Sequence, residues 1–156
     1  MELIAELKDK KTEMASWRQH LHQFPGAAYE EVMTSSFVAE KLGSFGIEVH
    51  RGLGKTGIVG VIHGQNSGDG TSPSIGLRAD MDALPMEEQT NLAYASRHPN
   101  RMHACGHDGH TTMLLGAAEY LARHRHFKGT VYCVFQPAEE AGNAGAQSTI
   151  NDGLFN

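Results

Sequence analysis

The chain has 156 residues, enough for one domain with a core that needs no staples. Its 40% apolar and 20% charged residues are the mix of an ordinary globular protein. A formal net charge of -5 argues against nucleic-acid binding, which needs clustered Lys and Arg, and no apolar run is long enough to cross a bilayer as a helix. The start "MELIAELKDKKTEMASW" lacks the basic, then apolar, then small-residue order of a signal peptide, so the expectation is a soluble, cytoplasmic chain.

From Glu2 to Phe24, Leu3, Leu7, Met14, Trp17 and Leu21 recur at helical spacing, and Pro25 and Gly26 then stop the helix. His20 and His22 fall at its carboxyl end, where an imidazole complements the helix dipole, so capping is their expected role. A second helix is expected from Tyr29 to Phe45 on the stripe Val32, Phe37, Val38, Leu42 and Phe45. "FGIEVHRGLGKTG" then changes period to short strand-type runs punctuated by glycine. "TGIVGVIHG" and "PSIGLRAD" read as two strands joined through "QNSGDGTS" into a hairpin. An irregular stretch follows, then a helix from Thr111 to His126 on Met113, Leu114, Ala117, Ala118 and Leu121. Last comes the strand "GTVYCVFQ", which Pro137 terminates.

Such alternation predicts an α/β fold with helices packed on a mixed β-sheet. In open sheets of this kind ligands gather beyond the carboxyl ends of strands. Two strands end there in acids, Asp80 and Asp82 after "SIGLRA" and Glu139 and Glu140 after "VYCVFQPA", and the histidine cluster "MHACGHDGH" precedes a helix. Three distant segments are thereby expected to meet on one rim.

Cys105 and His107 are separated by one glycine, so a thiolate and an imidazole can turn to one ion. No second closely spaced Cys or His pair of zinc-finger type accompanies them. The adjacent carboxylates of Glu139 and Glu140 repel unless a cation or a shared proton compensates. One of them can ligate an ion while the other takes a proton from water polarised by it; a solvated acidic turn is the plain alternative. His103 and His110 are expected to be hydrogen-bonded or exposed without a role, and Cys133, inside an apolar strand, to be a small buried hydrophobe with no chemistry.

The blocks "WRQHLHQFP", "GLRADMDALPMEE", "MHACGHDGHTTMLLGAA" and "VFQPAEE", in that order, resemble the metal-dependent amidohydrolases related to hippurate hydrolase and to plant auxin-conjugate hydrolases. The resemblance runs from about Trp17 to the end. It implies a zinc-exopeptidase-like catalytic domain, truncated, with residues 1–156 as its amino-terminal part and the lid or dimerisation domain and carboxyl-terminal part absent. It also implies Cys105, His107 and Glu140 as metal ligands, Glu139 as general base, Asp80 beside the metals, and a divalent cofactor, zinc or manganese, present as two ions in full-length members. The implied reaction is hydrolysis of the amide bond of N-acyl amino acids. The rival expectation is a non-catalytic remnant that binds metal weakly, or that associates with other copies or a missing carboxyl-terminal partner through an uncovered sheet edge.

Overall fold

The computed structural model describes residues 4–65 and 72–155. The first helical segment is two helices, α1 (Ala5–Asp9) and α2 (Lys11–Gln23), interrupted at Lys10, where the sequence pattern had predicted one. No residue of α1 is buried, whereas α2 anchors Trp17 and Leu21 in the core. Half-buried Leu7 is the apolar residue that ties α1 to the rest, and Lys10 at the break points its ammonium at Glu119, 2.6 Å away. The expected start of this helix, Glu2 and Leu3, lies outside the described residues. Helix α3 (Val32–Ser44) follows as expected, with Val38 and Leu42 fully buried.

Strands β1 (Glu48–Leu53), β2 (Gly57–His63), β3 (Ser74–Asp80) and β4 (Thr130–Gln136) form one mixed sheet in the order β1-β2-β4-β3. The expected hairpin between β2 and β3 is not formed, because β4 lies between them, antiparallel to β2 and parallel to β3. The physical reason is burial. β2 is buried along six of its seven residues and β4 places Val131, Cys133 and Phe135 in the core, while Ser74, Ile75 and Gly76 of β3 are exposed. The strands with most to hide take the centre, and β3 is left as an edge. Most of the segment expected to turn that hairpin, residues 66–71, lies outside the described residues.

Helix α4 (His107–Arg123) bridges β3 and β4 and begins one turn earlier than the apolar periodicity predicts. Its first residues are held by polar contacts rather than by apolar packing, so periodicity does not report them. Gly106, immediately before it, has φ of 86°, a left-handed conformation that a side chain would resist. The core lies between α2, α3 and α4 and the sheet face that carries Ile58, Ile62, Val131, Cys133 and Phe135. A single helical turn at Glu140–Gly142 and helix α5 (Gly145–Asn151) follow β4. No helix among the described residues is long and apolar enough to cross a membrane.

Candidate metal centre

Asp80 and Gln136 are register partners at the ends of the parallel strands β3 and β4, so the chain leaves both strands at the same rim. Because α4 returns antiparallel between them, its amino terminus reaches that rim too. Met81, fully buried, continues the pairing through its backbone N–H to Gln136 O at 2.9 Å. This keeps Asp82 at the rim, 1% exposed.

Asp82 organises the cluster. Its backbone oxygen and Oδ1 both face His107 Nδ1, at 2.8 and 3.2 Å, and its Oδ2 accepts the backbone N–H of Glu140 at 2.8 Å. With Nδ1 so engaged, His107 turns Nε2 toward Asp80 Oδ1 at 3.5 Å, Glu140 Oε1 at 3.7 Å and Glu139 Oε2 at 3.9 Å. The donor atoms of Cys105, His107 and Glu140 all lie within 4.8 Å of one another. The structure thus brings together the four residues singled out in the sequence: His107 is buried, Glu140 half-buried, and Cys105 and Glu139 exposed.

The electrostatics follow from this crowding. Burial opposes a charge on His107, but the Asp82 hydrogen bond and the charge of Asp80 outweigh it and hold the imidazole above its ordinary value. Burial likewise disfavours the Asp82 carboxylate, yet donation from His107 and from the backbone of Glu140 and Glu139 keeps it below the usual range. The Cys105 thiol is pushed up, first by its hydrogen bond to Glu140 and then by desolvation and the surrounding acids. Four carboxylates crowd around one imidazole and one thiol, and a cation among them would reverse the effect on the thiol. The donor set fits one: sulfur, imidazole nitrogen and carboxylate oxygen suit zinc, and tying the second histidine nitrogen to a carboxylate and a carbonyl is the support that metal-binding imidazoles receive.

His20, His22 and His103 depart from expectation, whereas His110 is hydrogen-bonded and exposed as expected. His22 does not cap α2; it is 3% exposed, with Nδ1 2.8 Å from Asp108 Oδ2 and Nε2 3.2 Å from Glu88 Oε1. Arg18 Nε also donates to Asp108, at 3.1 Å. This network ties the residue after His107 to α2 and to the loop beyond β3. His20 stacks on Phe37 at 4.7 Å instead of capping. His103 is neither hydrogen-bonded nor exposed: it is buried, both ring nitrogens lack a partner among the described residues, and burial pushes its pKa down to about 4. His110 is half-exposed and donates Nδ1–H to Asp80 Oδ1 at 2.7 Å. Cys133 is fully buried, its thiol pushed up to about 12 by desolvation, as the apolar strand predicts.

Sequence reasoning missed Glu31. Its carboxylate is fully buried and accepts from Tyr29 N, Thr56 Oγ1 and Ala138 N. Ala138 is held in a left-handed turn, φ 50°, directly before Glu139 and Glu140. Only the adjacency of two acids before an apolar run hinted at Glu31, and that pattern also describes an ordinary helix start. An apolar groove of about 680 Å³ between α2 and α4, lined by Leu7, Met14 and Met113 among others, includes none of Cys105, His107, Glu139 or Glu140.

Known proteins share this arrangement of chain. The profile of peptidase family M20/M25/M40 matches residues 76–156, just over half of the chain. The chain is 52% identical to the hippurate hydrolase of Campylobacter jejuni over 99% of its own length and 39% of that protein. It is 43% identical to the IAA-amino acid hydrolase ILR1-like 5 of Arabidopsis thaliana, over 97% of its length and 34% of that protein. The crystal structure of Bacillus subtilis YXEP, described as a dinuclear metal binding peptidase from the M20 family, superposes with a TM-score of 0.88 at 40% identity, covering 96% of this chain and 41% of that one. The chain therefore spans about two fifths or less of the length of these relatives.

Proposed function

The chain belongs to peptidase family M20/M25/M40, a family of metallo-hydrolases, and from that premise we propose that it is the amino-terminal part of a catalytic domain that hydrolyses the amide bond of N-acyl amino acids. The observation that carries this reading is the orientation of His107. Asp82 occupies Nδ1, so Nε2 faces the same space as Cys105 and Glu140, with the Glu139 carboxylate beside it.

In this reading Cys105, His107 and Glu140 would hold a divalent ion, zinc or manganese, and further residues of the full-length protein would complete the ligand set for two. A bound ion would supply Lewis acidity, polarising the amide carbonyl and making water easier to deprotonate. Glu139, exposed at the rim, takes the proton from the attacking water and delivers it to the leaving amine nitrogen. Asp82 holds His107 and the Glu140 backbone so that neither ligand reorganises during the reaction. A reducing compartment such as the cytoplasm keeps Cys105 a free thiol.

The test is a chimera in which this chain replaces the matching amino-terminal part of the Campylobacter hippurate hydrolase. Release of glycine from benzoylglycine is expected, abolished by chelator and by E139Q. The isolated chain is expected to turn over negligibly, since misplacement by about 1 Å costs on the order of a hundredfold. A folded, metal-loaded chimera without activity overturns the proposal. A second reading, association between copies of a non-catalytic chain, is favoured by the exposed β3 edge, where Ile75 is 57% exposed. It predicts a concentration-dependent oligomer by light scattering that I75K dissolves.

A further inference from the structure

His107 belongs to two sets of possible ligands. Besides Cys105 and Glu140, it shares a second cluster with Asp80 and His110, whose donor atoms also lie within 4.8 Å of one another. Both clusters use the same nitrogen, because Nδ1 is engaged by Asp82. A ring nitrogen has one in-plane lone pair and binds one ion, so the two clusters cannot both be filled through His107.

The second cluster places a buried carboxylate oxygen against two imidazoles. Asp80 is 5% exposed, and its Oδ2 is held by Arg78 Nη1 at 2.9 Å, which leaves Oδ1 to the two imidazoles. Oδ1 lies 3.5 Å from His107 Nε2, a gap that two ligands of one ion can close. The 2.7 Å contact to His110 Nδ1 is a proton-sharing distance. An ion bound there would take the place of that proton, which would leave to solvent. The Thr111 hydroxyl donates to Asp80 O at 3.0 Å, pinning α4 to β3 beneath the cluster. His110 is half-exposed, so it can turn to meet an ion arriving from solvent.

The donors differ in kind. One set carries a thiolate, which favours zinc; the other, two imidazoles and one carboxylate, lacks the soft sulfur and is the one of the two that a harder ion such as manganese can take. We propose that Asp80, His107 and His110 form a second, sulfur-free position for a divalent ion. It alternates with the Cys105–His107–Glu140 position, with manganese settling at the former and zinc at the latter. This rests on the proposed ligand role of His107 and deepens it: the identity of the metal sets where the ion sits.

The experiment uses the purified chain with single metals. Zinc is measured by competition with a chromophoric chelator, manganese by the loss of the free-ion electron paramagnetic resonance signal, and folding of each variant by circular dichroism. C105S is expected to weaken zinc binding about tenfold or more and leave manganese within about twofold, and H110Q to do the reverse. Saturating zinc should displace manganese, leaving one ion per chain. Unchanged manganese binding in H110Q overturns the proposal. So does an equal loss of both metals in both variants, which means one undivided site, or zinc and manganese bound to one chain together. Failure of manganese to bind the unaltered chain also overturns it. If instead C105S leaves zinc unchanged while the H110Q result holds, the sulfur-side reading fails and the second position stands.

Discussion

Replacing Glu31 by alanine tests whether the base of the metal centre is held together from the opposite end of the chain. One oxygen, Oε1, accepts from both Tyr29 N, at 3.0 Å, and Ala138 N, at 2.9 Å, while Oε2 accepts from Thr56 Oγ1. In E31A the donors on Ala138 and Thr56 are stranded in a buried setting. At about 1–3 kcal/mol each, the loss is about 2–6 kcal/mol. The Tyr29 N–H is nearer the surface and regains water. Domains are stable by about 5–15 kcal/mol in total, so the loss is large. With a urea m-value of about 2 kcal/mol/M, a loss of about 4 kcal/mol lowers the unfolding midpoint by about 2 M. In E31Q the amide oxygen can take over the two backbone N–H groups while its NH₂ donates to Thr56 Oγ1, whose own hydrogen turns away; the expected cost is about 1 kcal/mol or less. Urea unfolding of both variants, followed by circular dichroism with chelator present, separates the cases. A midpoint for E31A within about 0.5 M of the unaltered chain, or equal damage in E31Q, refutes the reasoning.

Three further outcomes are expected. Changing Asp82 to alanine frees His107 Nδ1 and the Glu140 N–H together and should weaken zinc binding about 10–100-fold by chelator competition. Changing the buried Cys133 to alanine should leave zinc affinity as it is, because its thiol lies in the core away from the rim. For His103, the folded-state pKa of about 4 lies below the ordinary 6.5, so the folded chain binds fewer protons. Its stabilising contribution is complete above about 6.5, is lost as pH falls toward about 4, and totals about 3 kcal/mol. Urea midpoints of the metal-free chain at pH 7, 5.5 and 4 should fall more steeply than those of H103L, and matching slopes would contradict the burial argument.

By itself, the sequence determined what short-range spacing can encode. Trp17 and Leu21, then Val38 and Leu42, mark helix faces; the apolar runs mark β2 and β4; and Pro137 ends β4 where it stands. Gly106 between Cys105 and His107, and the adjacency of Glu139 and Glu140, pointed to a metal centre, because those spacings matter within a few residues. Tertiary structure alone decided the rest. That β4 separates β2 from β3 depends on which strands bury both faces, a property of the packed sheet. The buried pairing of His22 with Asp108 and the isolation of His103 depend on neighbours that the helix dipole argument does not include. Glu31 meets Ala138 across 107 positions of sequence. Asp82, 25 residues before His107, chooses which ring nitrogen that histidine offers to an ion. Periodicity fixes the face on which a side chain stands; which charged or polar partner waits there is set only when distant segments are packed out of water, where an unmatched group is costly.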